Sequence, residues 1–152
     1  MPLIHLTTPI KAPIQVVFDL ARNIDFHQES ASKSREKAIG GRTTGLIELG
    51  ETVVWQAVHF GIKQKLSTKI TAMNAPRSFR DEMVFGAFKS LKHEHIFIEE
   101  DGMTKMIDLF HFEAPLGILG RLANVLFLKR YMKNFLLERN QALKAKAEEM
   151  AY

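Results

Sequence analysis

His93 and His95 are separated by a single residue, Asp81 and Asp108 lie in neighbouring stretches of alternating sequence, and Arg139 interrupts an otherwise apolar run. Imidazole and carboxylate groups together support three kinds of chemistry. They can ligate zinc or iron, build a His–Asp general base, or close a hydrogen-bond network around a pocket. A lone His-x-His pair falls short of a ligand set, so no metal and no cofactor is assigned. No glycine-rich phosphate loop, dinucleotide fingerprint or serine-hydrolase elbow occurs. The favoured reading is a satisfied polar network lining a pocket.

Two kinds of element must position these groups. From Glu51 onward the chain reads as strands at 51–59, 62–72, 78–85, 89–99 and 103–113, joined by Phe60-Gly61, Asn74-Ala75-Pro76, Gly86-Ala87 and Asp101-Gly102. A two-residue turn at Asp101-Gly102 sets His95 opposite Asp108, Phe97 opposite Met106 and His93 opposite Phe110. Their face is aromatic, whereas the other carries Lys92, Glu94, Lys105, His111 and Glu113, so the first faces inward. Alternation likewise turns Phe79, Asp81, Met83 and Phe85 inward. Around the Phe60-Gly61 turn, Trp55, Ala57 and His59 share a face with Gln64, Leu66 and Ile70.

The second element is the proline-free stretch from Leu116 to Met150, a long helix. At 100° per residue Val125, Leu128, Met132, Phe135, Leu136, Ala142 and Leu143 form one apolar face, from which Arg139 projects. Buried charges need partners, and the expected pairs are His95 with Asp108, and Asp108 or Asp81 with Arg139.

Residues 2–10 read as a first strand, 13–22 as a short helix after Pro13, 24–30 as a second, and 35–39 as a short strand. The order is strand, two short helices, about six strands and a long helix. That order defines an α+β architecture, a curved antiparallel sheet gripping the C-terminal helix.

Composition fits one globular domain spanning 1–152, with 46% apolar and 25% charged residues. The net charge of +4 lacks the dense basic block of a nucleic-acid binder, and no nucleic-acid partner is expected. There is no cysteine, no signal-peptide layout and no charge-free span, which sets the expectation of a cytoplasmic protein without stable membrane insertion. Leu119, Leu126 and Phe127 lie off the helix's main stripe and would mark a protein-partner surface. Arg121, Lys129, Arg130 and Lys133 read as a solvated basic face.

Several segments carry a family likeness. They are KAPIQVVFDLARNIDFH after the first strand, Thr52–His59 with Trp55, residues 75–95, MIDLFHFEAPLG, and Arg139 with Leu143. Over nearly its whole length the chain resembles the SRPBCC superfamily, the START-like and pollen-allergen-like helix-grip proteins. Within it the chain looks like the uncharacterised bacterial ligand-binding subgroup, through Phe79-Arg80-Asp81, Gly86-Ala87-Phe88 and His93-Glu94-His95. The resemblance implies a helix-grip fold of about seven strands. It also implies binding or transport of a small hydrophobic molecule (lipid, quinone or polyketide-like) between sheet and helix. The expected ligand-binding set is Trp55, His59, Phe79, Asp81, Met83, His93, His95, Phe97, Met106, Asp108, Phe110 and Arg139. The alternative is a cyclase-, aromatase- or isomerase-like enzyme using His95–Asp108 as base. No catalytic residue and no iron ligand carries over from relatives.

Overall fold

The computed structural model describes residues 3–31, 35–59, 61–114 and 121–151, with side chains of the last span from residue 126 onward. Strand β1 (Leu3–Ile10) leads into helices α1 (Ile14–Ala21) and α2 (Ile24–Ser30). Strands β2 (Lys37–Gly41), β3 (Thr52–His59), β4 (Ile62–Asn74), β5 (Ser78–Phe85), β6 (Ser90–Glu100) and β7 (Met103–Glu113) follow, then helix α3 (Arg121–Ala151). The seven strands form one antiparallel sheet in the order β1-β7-β6-β5-β4-β3-β2, so the first strand pairs with the last.

Local chemistry explains the boundaries. Pro13 suits the entry to α1, where a missing N–H costs nothing. Asn23 caps α2 by accepting a 3.0 Å bond from the Phe26 N–H. Asp101 and Gly102 both adopt positive φ, 52° and 76°, as a tight hairpin turn requires. The resulting register pairs His95 with Asp108, Phe97 with Met106 and His93 with Phe110, as expected from the turn. His59 pairs with Ile62, although Phe60 itself lies outside the described residues. The short strand expected at 35–39 lies two residues later. The reason is Gly41, whose φ of 68° ends the strand against Thr52.

Gly41 is constrained twice, because a Cβ there would also stand 2.2 Å from the Thr52 carbonyl oxygen. Gly50 has a similar φ of 84° but open space around it. Gly41→Ala should therefore cost about 2 kcal/mol of unfolding free energy and Gly50→Ala at most about 1. Urea midpoints would check this, and equal losses would show that the backbone simply moves aside.

Register shifts at Ser67/Thr68 and Ile70/Ala72 bend β4, as bulges do, and bury both Ser67 and Thr68. Two apolar clusters result. One joins α1, α2 and the β6–β7 hairpin end around Phe18, which meets Phe79 and Phe97 edge-on at 5.6 and 5.5 Å. The other gathers Ile4, Leu6, Leu91, Phe110 and Phe112 beneath Leu136. Helix α3 lies close to β1, α1 and α2. Its distance from the rest of the sheet leaves a cavity between the clusters.

The helix face differs in one respect from the expected stripe. Leu136, Asn140, Leu143 and Ala147 are its fully buried residues, with Leu128, Met132, Phe135 and Ala142 partly covered. Asn140 belongs to the stripe by position, not by polarity. Val125 and the start of the expected helix at 116–120 fall outside the described side chains and residues.

Candidate functional site

The cavity measures about 180 Å³ and is walled by β3 to β7 and by residues 128–139 of α3, with α2 at one end. Trp55, His59, Phe79, Asp81, His93, His95, Phe110 and Arg139 line it, eight of the residues expected from sequence. The other four sit elsewhere. Phe97 and Met106 pack in the first apolar cluster, because the hairpin end of the sheet is covered by α1. Met83 packs with Leu66 and Phe88 against the second cluster. Asp108 is 0% exposed and lies behind His93 and His95, which face the cavity in its place.

The polar groups meet in a pattern that strand register does not give directly. His95 and Asp108 are direct cross-strand neighbours, yet the short bonds run diagonally. His93 Nε2 lies 2.7 Å from Asp108 Oδ1, and His95 Nε2 lies 2.8 Å from Asp81 Oδ2 on the next strand. Each carboxylate accepts, so each Nε2 carries the proton. Phe79, His95 and His93 stack as a column, with centroids 4.1 and 3.8 Å apart. The column fixes both rings in register with their acids.

The expected ion pair between an aspartate and Arg139 does not form. Asn140 takes that place, donating from Nδ2 to Asp108 Oδ2 at 2.7 Å. The reason is helical phase. Asn140 points along the buried stripe into the sheet, whereas Arg139, one residue round, points along the cavity wall. Among the described residues no carboxylate lies within ion-pair distance of its guanidinium. Its charge still helps hold Glu36, Asp81 and Asp108 in their anionic forms.

A third His–acid pair closes the α2 end. His27 Nε2 and Glu36 Oε1 lie 2.7 Å apart, and the His27 ring stacks on Trp55 at 4.2 Å. Both residues line the cavity, and neither was singled out by sequence. His27 follows Ile24 by one helical step, a weak signal. Glu36 lies in a polar stretch with no periodicity to mark it. Opposite, His59 Nδ1 meets the Tyr131 hydroxyl at 2.7 Å.

Electrostatics follow from burial and these bonds. Burial alone would raise the Asp108 carboxyl, but the hydrogen bond and charge of His93, then His95 and Arg139, hold it far below the usual range. Burial likewise opposes ionisation of Asp81 and Glu36. His95 outweighs it at Asp81 and His27 at Glu36, and both carboxyls titrate below their ordinary values. Burial and the neighbouring His95 push His93 down to about 4, against the pull of Asp108. His59 is lowered by burial.

Asp81, His93 and His95 each offer a ligand atom within 4.8 Å of the others, the spacing a metal would need. Their geometry favours hydrogen bonding instead, because both Nε2 atoms are already engaged with carboxylates at 2.7 and 2.8 Å.

No protein-family model matches the sequence, and no curated protein sequence matches it. Solved structures do. Zhui aromatase/cyclase from Streptomyces sp. R1128 superposes with a TM-score of 0.82 at 11% identity, over 99% of this chain and 96% of that one. A START superfamily protein from Mycobacterium smegmatis gives 0.75 at 10% identity, over 97% and 98%. Ginseng major latex-like protein 151 from Panax ginseng gives 0.68 at 15% identity, over 96% and 97%. The fold these structures share with this chain is the helix-grip fold, a curved antiparallel sheet around a long C-terminal helix. At these identities the likeness carries the fold, and function must be argued from the site.

Proposed function

We propose that the protein binds a small, mostly apolar molecule bearing a carbonyl oxygen, such as a quinone or aromatic ketone, with that oxygen on Arg139. One observation carries the reading. Three carboxylates in and around the cavity each hold an imidazole, and Arg139 faces the space with no acid within ion-pair distance among the described residues. A neutral acceptor can take a guanidinium N–H without adding a fourth anion beside Glu36, Asp81 and Asp108. Trp55, Phe79 and Phe110 supply aromatic walls for the apolar body. Size limits the ligand as well, since a dry cavity of about 150 Å³ accommodates a benzene ring. The solved neighbours include an aromatase/cyclase, which supports a ring-bearing or polyketide-like class of ligand.

Binding is favoured over catalysis by the same geometry. A general base needs a nitrogen free to take a substrate proton. Both His95 nitrogens face carboxylates, Nε2 at 2.8 Å from Asp81 and Nδ1 at 3.6 Å from Asp108. His93, held near 4, is a weak base at neutral pH.

Calorimetry with a naphthoquinone, the matching naphthoate and naphthalene tests the proposal. The quinone should bind more tightly than the acid. Arg139→Met should weaken quinone binding by about tenfold or more, the worth of a hydrogen bond to a charged group, while sparing naphthalene. Failure of all three to bind, or an Arg139→Met variant that binds quinone like the parent, would overturn it.

A further inference from the structure

The end of the molecule where the β3–β4 hairpin meets the first half of α3 has a surface that the cavity reading does not use. His59 pairs with Ile62 at the hairpin tip and reaches Tyr131 at 2.7 Å, so the tip and this part of the helix stand together. Ile62, Leu126 and Phe127 project there, 61, 61 and 60% exposed. Around them Lys63, Lys65, Lys129, Arg130 and Lys133 are all exposed. Among the described residues none of these five cations has an acid within ion-pair distance.

The sequence explains the imbalance. Residues 52–80 contain no aspartate or glutamate, and neither do residues 114–137. The β3–β4 hairpin tip and the part of α3 around Tyr131, each within an acid-free stretch of sequence, thus stand together. Acidic residues are frequent elsewhere, as at Glu94, Glu99, Glu100 and Glu148, so the cations at this end have fewer acids around them than those on the rest of the surface.

We infer that this end docks on anionic lipid bilayers, with Ile62, Leu126 and Phe127 entering the headgroup boundary and the surrounding cations meeting lipid phosphates. Branched aliphatic side chains beside lysine and arginine suit an acyl-chain boundary. Single-stranded nucleic acid would instead call for aromatic stacking platforms between the cations, and Phe127 is the single ring among these exposed side chains. The same end also adjoins the cavity wall at His59, Gln64, Leu66, Leu128 and Met132, so a docked molecule would present its cavity to the bilayer.

Co-sedimentation of the full chain with phosphatidylcholine vesicles, with and without phosphatidylglycerol, tests the inference. Binding should require phosphatidylglycerol and weaken as NaCl is raised. Lys129→Glu/Arg130→Glu/Lys133→Glu should lower partitioning about tenfold or more. Leu126→Ser/Phe127→Ser should lower it even at low salt. All five positions are exposed, so circular dichroism should show both variants folded. Absence of vesicle binding, equal binding by the charge-reversed variant, or tighter binding to a single-stranded oligonucleotide than to vesicles would each overturn it. Quinone binding measured without vesicles reports on the cavity alone, so the two readings fail separately.

Discussion

Asp108→Ala should lower the unfolding free energy by about 3–5 kcal/mol, read from urea denaturation at neutral pH. The carboxylate is 0% exposed and accepts from two buried donors, His93 Nε2 and Asn140 Nδ2, each at 2.7 Å. Truncation strands both donors in an interior without solvent and opens a small void between β7 and α3. Asp108→Asn keeps the volume and one acceptor oxygen, so its loss should be less than half as large. A third variant separates stability from function. His93→Phe with Asp108→Leu and Asn140→Leu replaces all three hydrogen-bonded groups by apolar ones of similar size, which is often neutral or stabilising. If Asp108→Ala unfolds within about 1 kcal/mol of the parent, the network does not hold the helix to the sheet as described.

Acidification should remove about 3 kcal/mol of stability between pH 6.5 and about 4 through His93 alone. In the unfolded chain this imidazole takes a proton near 6.5, whereas in the fold it stays neutral down to about 4. Across that window the unfolded chain binds more protons, so stability rises with pH and is lost as pH falls. His59, also lowered, contributes with the same sign. The depressed carboxyls of Glu36, Asp81 and Asp108 add a further loss once pH drops below their ordinary values. His93→Gln retains an N–H donor near the Nε2 position and removes the titration, so the stability profile should flatten between pH 6.5 and 4. A parent profile flat in this window, or an unchanged slope in His93→Gln, would contradict the assignment.

Much of this could be read before any coordinates. The Asp101-Gly102 turn determines the β6–β7 register, and the register determines that His93, His95 and Asp108 face inward. Alternation along β5 brings Asp81 to the same side. What strand register cannot give is the reach of a side chain along the strand. His95 is opposite Asp108 by Cα position, yet its Nε2 lies against Asp81 while His93 takes Asp108. Helix phase was legible to within one residue, and that residue mattered. Asn140 follows Leu136 by four and precedes Leu143 by three, the spacing of a buried stripe. Its polarity hides it, and Arg139 beside it draws attention as the charged exception. Glu36 had no periodic signal, since it gains its partner only when α2 folds back over β2 and β3.

The pairing of β1 with β7 has a consequence for how the molecule is made. Asn140 bonds Asp108 and reaches Thr8 Oγ1 at 3.4 Å, joining the last helix to the first strand across a separation of 132 positions. Contacts so remote in sequence close late, after the local hairpins have formed. During synthesis β1 must wait for β7, and β7 offers an unpaired edge until β1 arrives. Helix α3, which forms one wall of the cavity and lies against β1, should therefore dock in the same late step that brings the two ends of the chain together.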